Sequence, residues 1–285
     1  FFVRHEKLAR WAWNAPAFRR TLVRQGFSRR MASNSAIPPT QHNTEIFRNR
    51  RAWDRKPLLR QIYLDFYRAL AAELRRDLPG LTVELGSGMG NIKQVIPDCI
   101  TTDLFPNPWL DRQENAYTLS FADASVANLI LFDVWHHLEF PGTALAQFGR
   151  VLAPGGRLIL FEPATSLLGR LIYGLFHHEP LGFGKPITWN APTALDLADA
   201  PYFAAQASAW RIFIRREFDH QLDAWHLRKI HPFASLSYVA SGGFSKPQLF
   251  PTPCLPLMRQ LDRILSAFPH LFATRLLVVL EKHAS

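Results

Sequence analysis

The feature that most constrains the fold is a short apolar run that leads directly into three closely spaced glycines. Leu81–Leu85 is followed by Gly86, Gly88 and Gly90. An apolar run of this length is typical of a buried strand, and glycines after it let the backbone turn and approach a ligand. The spacing is G-x-G-x-G, which differs from the G-x-G-x-x-G of dinucleotide sites. The pattern predicts a strand, a ligand-binding loop and the start of a helix, which Pro97 should keep short.

Further apolar runs alternate with helical patterns along the chain. Strands are predicted at Cys99–Asp103, Asn128–Val134, Arg157–Glu162, Trp225–His231 and Arg275–Lys282. Helical spacing is present at Leu59–Leu74, Thr143–Leu152 and Leu167–Phe176, and in a later segment with Leu255, Met258, Leu261, Ile264 and Phe268 on one face. Strands that alternate with helices indicate an α/β fold with a doubly wound, mostly parallel sheet. We expect residues 44–165 and 222–285 to form the core, and residues 166–221 to be a substrate-capping insertion.

The charge is concentrated at the N-terminus. The chain of 285 residues has a net charge of +10, but residues 1–30 hold eight bases and one acid. A basic tail is weaker support for nucleic-acid binding than a basic body would be. Residues 1–43 are interpreted as a basic extension. Either residues 1–30 contact a membrane surface peripherally or act in targeting, or the extension is not native before Met31. Two cysteines and the absence of a long apolar run predict a soluble, cytoplasmic protein.

Two acids flank the glycine loop. Glu84 lies just before it, where a carboxylate would repel a pyrophosphate but would suit an ammonium group such as that of S-adenosylmethionine. Asp103 ends the next strand, where a carboxylate can accept hydrogen bonds from two ribose hydroxyls. Together the loop and the two acids predict a nucleoside-type cofactor.

Five ordered motifs between Leu81 and Pro163 carry a resemblance to a known family. They are Val83-Glu84-Leu85-Gly86-Ser87-Gly88-Met89-Gly90, Asp103, Leu119-Ser120-Phe121-Ala122-Asp123-Ala124-Ser125, Asp133-Val134-Trp135-His136-His137-Leu138 and Leu152-Ala153-Pro154-Gly155-Gly156-Arg157-Leu158. In these the chain resembles the class I S-adenosylmethionine-dependent methyltransferases, type 11 small-molecule group. The resemblance implies a Rossmann-like sheet of seven strands with the last strand antiparallel, and S-adenosyl-L-methionine as cofactor. It implies cofactor contacts at Glu84, Gly86, Ser87, Gly88, Gly90, Asp103, Leu104, Asn115 and Asp133, with Asn115 standing where the family often has an aspartate.

Residues that could take a proton from the acceptor follow two predicted elements. His136 and His137 come after the strand that ends near Val134, and His177, His178 and Glu179 follow the helical segment of the insertion. A wall of the cofactor pocket is the alternative role for the first pair. We expect no metal site, because adjacent histidines on a helix or strand point in different directions and no fixed third ligand is evident.

The apolar and aromatic content of the insertion favours a small, partly hydrophobic acceptor: a lipid, a quinone, a secondary metabolite or a lipid-linked saccharide. One alternative is an RNA or DNA methyltransferase, although Asp133-Val134-Trp135-His136 lacks the Pro-Pro that clamps a base amino group. Another is an inactive binding module with the same scaffold. The sequence leaves open the methylated atom and the oligomeric state.

Overall fold

One seven-stranded sheet forms the body of the protein. The computed structural model describes residues 39–177, 179–197 and 203–284, with side chains from residue 44 onwards, so the expectations for residues 1–38 fall outside the described residues. Within the described part of the chain, the strands are β1 (Leu81–Leu85), β2 (Ile100–Asp103), β3 (Arg112–Gln113), β4 (Val126–Phe132), β5 (Leu152–Pro163), β6 (Trp225–Phe233) and β7 (Arg275–Lys282). Their order across the sheet is β3-β2-β1-β4-β5-β7-β6.

The direction of the last strand sets the topology. Strands β1 to β5 pair parallel to one another. Strand β7 runs antiparallel to both β5 and β6, pairing Leu280 with Leu158 and Val278 with Ile230. The predicted seven-stranded sheet with an antiparallel last strand is therefore confirmed, and the bounds of β1 and β7 are those read from the sequence.

Helices pack on both faces of the sheet. They are α1 (Pro39–Arg55), α2 (Pro57–Ala71), α3 (Pro141–Val151), α4 (Leu167–Phe176), α5 (Leu236–Ala240), α6 (Leu255–Leu265) and α7 (Pro269–Phe272). Along β4, Leu129 and Leu131 pack in the cluster that contains Phe148 of α3, whereas Ile130 packs in the cluster that contains Phe66 of α2. Both faces of the central strands are thus buried, as the continuous apolar runs predicted.

The glycine loop leads into a 3₁₀ turn, Asn91–Gln94, instead of a long helix. Pro97 follows three residues later and cannot donate a backbone hydrogen bond, so the turn does not extend. The expected short first helix is confirmed.

The segment between β5 and β6 packs partly into the core. After α4 it includes a π-helical turn, Trp210–Ile214, in which Ile212 and Phe213 are buried against the cluster that contains Trp135. A π-helical turn interrupts regular helix geometry and is frequent near functional sites. The division into a core and a capping insertion at residues 166–221 stays a prediction.

Helices α4 and α6 each expose three or more large apolar side chains. On α4, Leu167, Leu171, Leu175 and Phe176 are exposed, and on α6 the predicted apolar face is buried only at Leu255. Helix α4 also contacts α7. None of the helices in the described ranges is long and apolar enough to cross a membrane.

Candidate functional site

The glycine loop needs glycine for two separate reasons. Gly86 and Gly88 have φ angles of +70° and +52°, in the left-handed region that other residues rarely adopt. A Cβ atom on Gly86 would lie 2.3 Å from Cγ2 of Val134, so the loop packs directly against the end of β4. A Cβ atom on Gly88 would meet nothing within 4 Å. The space beside Gly88 is therefore open to a ligand, while Gly86 joins the loop to the neighbouring strand.

Asp103 holds this loop against the end of β2. Its Oδ2 accepts a hydrogen bond from the backbone N–H of Gly88 at 3.0 Å, and the side chain is nearly buried. The backbone N–H of Ser87 donates to the carbonyl of Thr102 at 2.7 Å. The structure thus brings together the loop and the acid that the sequence predicted as partners, with Leu104 exposed just beyond them.

Glu84 is the buried acid at the base of the loop. Its Oε2 is buried and has no hydrogen-bond partner among the described residues. Burial raises the pKa of Glu84 to about 7. An orphaned buried carboxylate is costly unless a partner arrives, and an ammonium group is such a partner. This orphaned oxygen and the open space at Gly88 fit the amino acid end of S-adenosylmethionine.

The side chain of Asn115 connects the loop after β3 to the segment between β5 and β6. Its Oδ1 accepts from the backbone N–H of Tyr117 at 2.9 Å, and its Nδ2 donates to the carbonyl of Leu197 at 3.1 Å. An amide oxygen has two lone pairs, so one more donor can be accommodated. The predicted contact with the adenine amino group stays a prediction.

An ion pair that the sequence did not indicate lies at the end of β4. Asp133 has a φ of +55° and pairs with Nη1 of Arg275 at 2.5 Å. Arg275 is 2% exposed, and its guanidinium lies 4.3 Å from the ring centroid of Tyr238. In the sequence Arg275 is the first residue of an apolar strand, and nothing there signals its burial or its partner. The pair holds Asp133, a predicted cofactor contact, in place at the end of β4.

A second unpredicted residue, Glu162, organises the turn after β4. The turn is a 3₁₀ helix, Trp135–His137. The fully buried carboxylate of Glu162 accepts from the backbone N–H groups of Val134 at 2.9 Å and Trp135 at 2.7 Å. Its Oε2 also lies 2.6 Å from Nδ1 of His136, which donates to it. Its signal in the sequence is an acid at the carboxyl end of a parallel strand, the same position that marks Asp103.

Glu179 lies close to predicted catalytic residues from two separate parts of the chain, the turn after β4 and the end of α4. Its carboxylate lies 3.5 Å from Nε2 of His136, 3.8 Å from Nε2 of His137 and 3.7 Å from Nδ1 of His177. Gln206 also donates a hydrogen bond to it. The fifth predicted residue, His178, lies outside the described residues. Four of the five candidates thus converge at the carboxyl edge of the sheet.

The expected divergence of the adjacent histidines is wrong. The ring centroids of His136 and His137 are 4.1 Å apart, and both rings face Glu179. The tight 3₁₀ turn, and a separate hydrogen bond donated by each Nδ1 atom, turn the rings to the same side. For His137 this bond goes to the carbonyl of Phe203 at 3.0 Å. The geometric reason for expecting no metal site therefore does not hold.

The two histidines differ in charge. Burial lowers the pKa of His136, but the charge and hydrogen bond of Glu162 outweigh it and raise that pKa to about 10. Burial and the charge of His136 lower the pKa of His137 to about 4. In the absence of other ligands, His136 is a cation between two carboxylates and His137 is neutral. A neutral imidazole can accept a proton from an acceptor hydroxyl.

Comparisons with known proteins agree with this geometry. Residues 84–160 match the type 11 family model described as a methyltransferase domain, a segment that runs from Glu84 almost to the end of β5. No curated protein sequence is detectably similar to the chain.

Solved structures with a similar fold were also found. One is an S-adenosylmethionine-dependent methyltransferase of Thermotoga maritima, with 15% identity, a TM-score of 0.46, and coverage of 84% of this chain and 99% of that protein. Another is the complex of a methyltransferase with its activator from Haloferax volcanii, with 15% identity, a TM-score of 0.46, and coverage of 83% and 94%. A third, geranyl diphosphate C-methyltransferase of Streptomyces coelicolor, has 10% identity, a TM-score of 0.42, and coverage of 76% and 75%. Similarity at this level gives no information about the acceptor of this chain.

The matched family segment contains the glycine loop, the acid that ends β2 and the turn after β4, where the sequence predicts cofactor contacts and two of the candidate histidines. The chain carries a class I S-adenosylmethionine-dependent methyltransferase domain and is an enzyme of that class.

Proposed function

We propose that the enzyme methylates a small, partly hydrophobic acceptor such as a lipid, a quinone, a secondary metabolite or a lipid-linked saccharide. The observation that carries this proposal is the exposed apolar face of α4, which leads directly into the polar cluster around Glu179. Leu175 is 68% exposed and Phe176 is 70% exposed, and His177 is the next residue. Concentrated apolar surface beside convergent polar groups is typical of a site for an amphipathic ligand.

The cofactor and the acceptor sites meet at the end of β4. Val134 packs against Gly86, and His136 follows it by two residues, so the cluster lies beside the glycine loop. Ligands of open parallel sheets bind at this carboxyl edge. An acceptor whose apolar part covers α4 would place its polar end near His137 and Glu179.

The residues of the chain divide the work of methyl transfer. Glu84, Asp103 and the backbone at Gly88 would hold S-adenosylmethionine, which supplies a methyl group activated by a sulfonium. His137 and Glu179 would orient the acceptor and take its proton, and the insertion would exclude water. Holding the reacting atoms in line contributes as much as about 7 to 11 kcal/mol in well-oriented reactions.

Transfer of labelled methyl groups to a panel of acceptors tests the proposal. The panel contains amphipathic phenols, quinols and glycolipids in short-chain and long-chain forms, together with nucleosides and RNA. We expect methylation of amphipathic acceptors, with kcat/KM rising with the length of the apolar chain. Methylation of RNA or nucleosides alone would contradict the proposal, and binding of S-adenosylhomocysteine without transfer to any acceptor would favour an inactive module.

Two matched variants sharpen the test. Leu175→Ser removes an exposed side chain of α4, and Leu257→Ser removes a 70% exposed leucine of α6. We expect Leu175→Ser to lower kcat/KM for long-chain acceptors more than for short-chain ones, with affinity for S-adenosylhomocysteine unchanged. Leu257→Ser should leave the ratio of kcat/KM for long-chain acceptors to kcat/KM for short-chain acceptors unchanged. Equal effects of the two variants would show that the face of α4 does not contact the acceptor.

A further inference from the structure

Three side chains of metal-ligand type meet at the cluster around Glu179. His136, His137 and Glu179 each offer one ligand atom, and these three atoms all lie within 4.8 Å of one another. Nε2 of His136 lies 3.5 Å from Oε2 of Glu179, and Nε2 of His137 lies 3.8 Å from Oε1 of the same carboxylate. Ligands at about 2.0 Å from a tetrahedral zinc ion are about 3.3 Å apart. Small side-chain movements would therefore bring the three atoms to bonding distance of one ion.

The orientation of each imidazole is already fixed by a hydrogen bond on its far side. Nδ1 of His136 donates to the Glu162 carboxylate, and Nδ1 of His137 donates to the carbonyl of Phe203. Histidine ligands of metals almost always donate their other ring N–H to a carboxylate or a backbone carbonyl. Each bond favours the tautomer that carries its proton on Nδ1, with Nε2 directed at Glu179.

The charge of the site suits a divalent cation. The carboxylates of Glu162 and Glu179 lie on opposite sides of His136, and the side chains of these three residues are at most 10% exposed. Two imidazoles and a carboxylate are donors that first-row metals such as zinc prefer. Three protein ligands leave a coordination position for water or substrate, as in catalytic zinc sites.

We propose that His136, His137 and Glu179 bind one divalent transition-metal ion, with Zn²⁺ as the ion that fits the donor set. Glu162 and the Phe203 carbonyl act as outer partners that orient the ligands. With the ion bound, His137 and Glu179 would serve as its ligands, and the ion would replace them in activating the acceptor. An acceptor hydroxyl bound at the remaining position would lose its proton to water more readily, because a metal ion stabilises the oxyanion. That role rests on the proposed function, whereas metal binding itself does not.

Cobalt titration of the full chain tests the site without any acceptor. The purified protein is treated with a chelator and dialysed, and Co²⁺ is added while visible d–d absorption and heat of binding are followed. We expect one equivalent to bind with the strong absorption of a four- or five-coordinate ion, and Zn²⁺ to displace it. Weak, non-saturating binding to the wild type would overturn the proposal and leave His136 as a protonated bridge between Glu162 and Glu179.

Variants distinguish this site from other histidines of the chain. Glu179→Gln and His137→Ala should each lower the affinity for Co²⁺ by about 100-fold or more, because even changes in outer partners cost about 10- to 100-fold. His220→Ala removes an exposed histidine outside the cluster and should bind Co²⁺ with the affinity of the wild type. Affinity for S-adenosylhomocysteine reports folding in each variant. If His137→Ala does not fold, Glu179→Gln decides the matter, and unchanged Co²⁺ binding in it would refute the site whether or not methyl transfer is ever found.

Discussion

Replacing Gly86 and Gly88 separately with alanine tests how the glycine loop is built. Both glycines have positive φ angles, so each substitution incurs the same backbone strain of about 1–2 kcal/mol. The surroundings differ. At Gly86 the new Cβ atom would lie 2.3 Å from Val134 Cγ2, and overpacking of this kind costs a further 1–3 kcal/mol or so. We expect Gly86→Ala to lose about 2–5 kcal/mol and Gly88→Ala only about 1–2 kcal/mol.

Thermal unfolding and ligand titration separate the two effects. A loss of 1 kcal/mol lowers the unfolding midpoint of a protein of this size by roughly 2–4 °C, so the two variants should be clearly resolved. Gly88→Ala should nevertheless bind S-adenosylhomocysteine more weakly, because its Cβ fills the open space beside the loop. The variant with the smaller loss of stability, Gly88→Ala, should therefore be the one that directly weakens cofactor binding.

A double-mutant cycle with Val134 locates the clash. In Gly86→Ala/Val134→Ala the Cγ atoms that the new Cβ meets are gone, so the effects should couple favourably by about 1–3 kcal/mol. The pair Gly88→Ala/Val134→Ala should show no coupling. Equal unfolding midpoints for the two single variants, or no coupling at Gly86, would refute the packing of the loop against the end of β4.

Two further predictions concern buried charge. Since burial raises the pKa of Glu84 from 4.5 to about 7, the folded apoprotein keeps a proton that the unfolded chain releases, and this group's contribution to stability falls as pH rises from about 4.5 to about 7. Affinity for S-adenosylhomocysteine should rise over the upper part of that range as Glu84 ionises. In Glu84→Gln the pH dependence of stability, followed by thermal unfolding, and the pH dependence of affinity, followed by calorimetric titration, should both become flatter. Asp133→Asn keeps a residue that tolerates positive φ but leaves the Arg275 charge buried and unpaired, so it should lower stability by about 3–5 kcal/mol. Arg275→Met leaves a carboxylate that is 29% exposed to water, so chemical denaturation should show a smaller loss, and the opposite order would contradict the buried pair.

The parts of the fold that sequence predicted are those whose signal is local. Strands β1 and β7 are continuous apolar runs, and their bounds in the structure are those of the runs. Strand β3 was not predicted, because it consists of two exposed polar residues, Arg112–Gln113, and exists through pairing with β2. Helix α1 was also missed, because its N-terminal part lies in the stretch interpreted as a basic extension. Of its side chains that the structure describes, only Ile46 and Trp53 are buried.

The cofactor half of the site was predictable for the same reason. Glu84 and the glycines lie within seven residues of one another, and Asp103 ends the next strand. Arg275 and Glu162 were missed because their roles depend on burial and on partners that are distant in sequence. A base inside an apolar strand and an acid at a strand end have many structural roles, and only the fold selects one.

The acceptor half shows where local periodicity stops being informative. Successive residues of a helix or strand point in different directions, and this geometry led to the expectation that His136 and His137 diverge. Their rings instead follow two hydrogen bonds, to Glu162 and to the carbonyl of Phe203, which lie 26 and 66 residues away along the chain. The third side chain, Glu179, comes from the segment between β5 and β6. The sequence thus predicts which residue types reach the carboxyl edge of the sheet, but these distant partners determine that both rings turn toward one carboxylate.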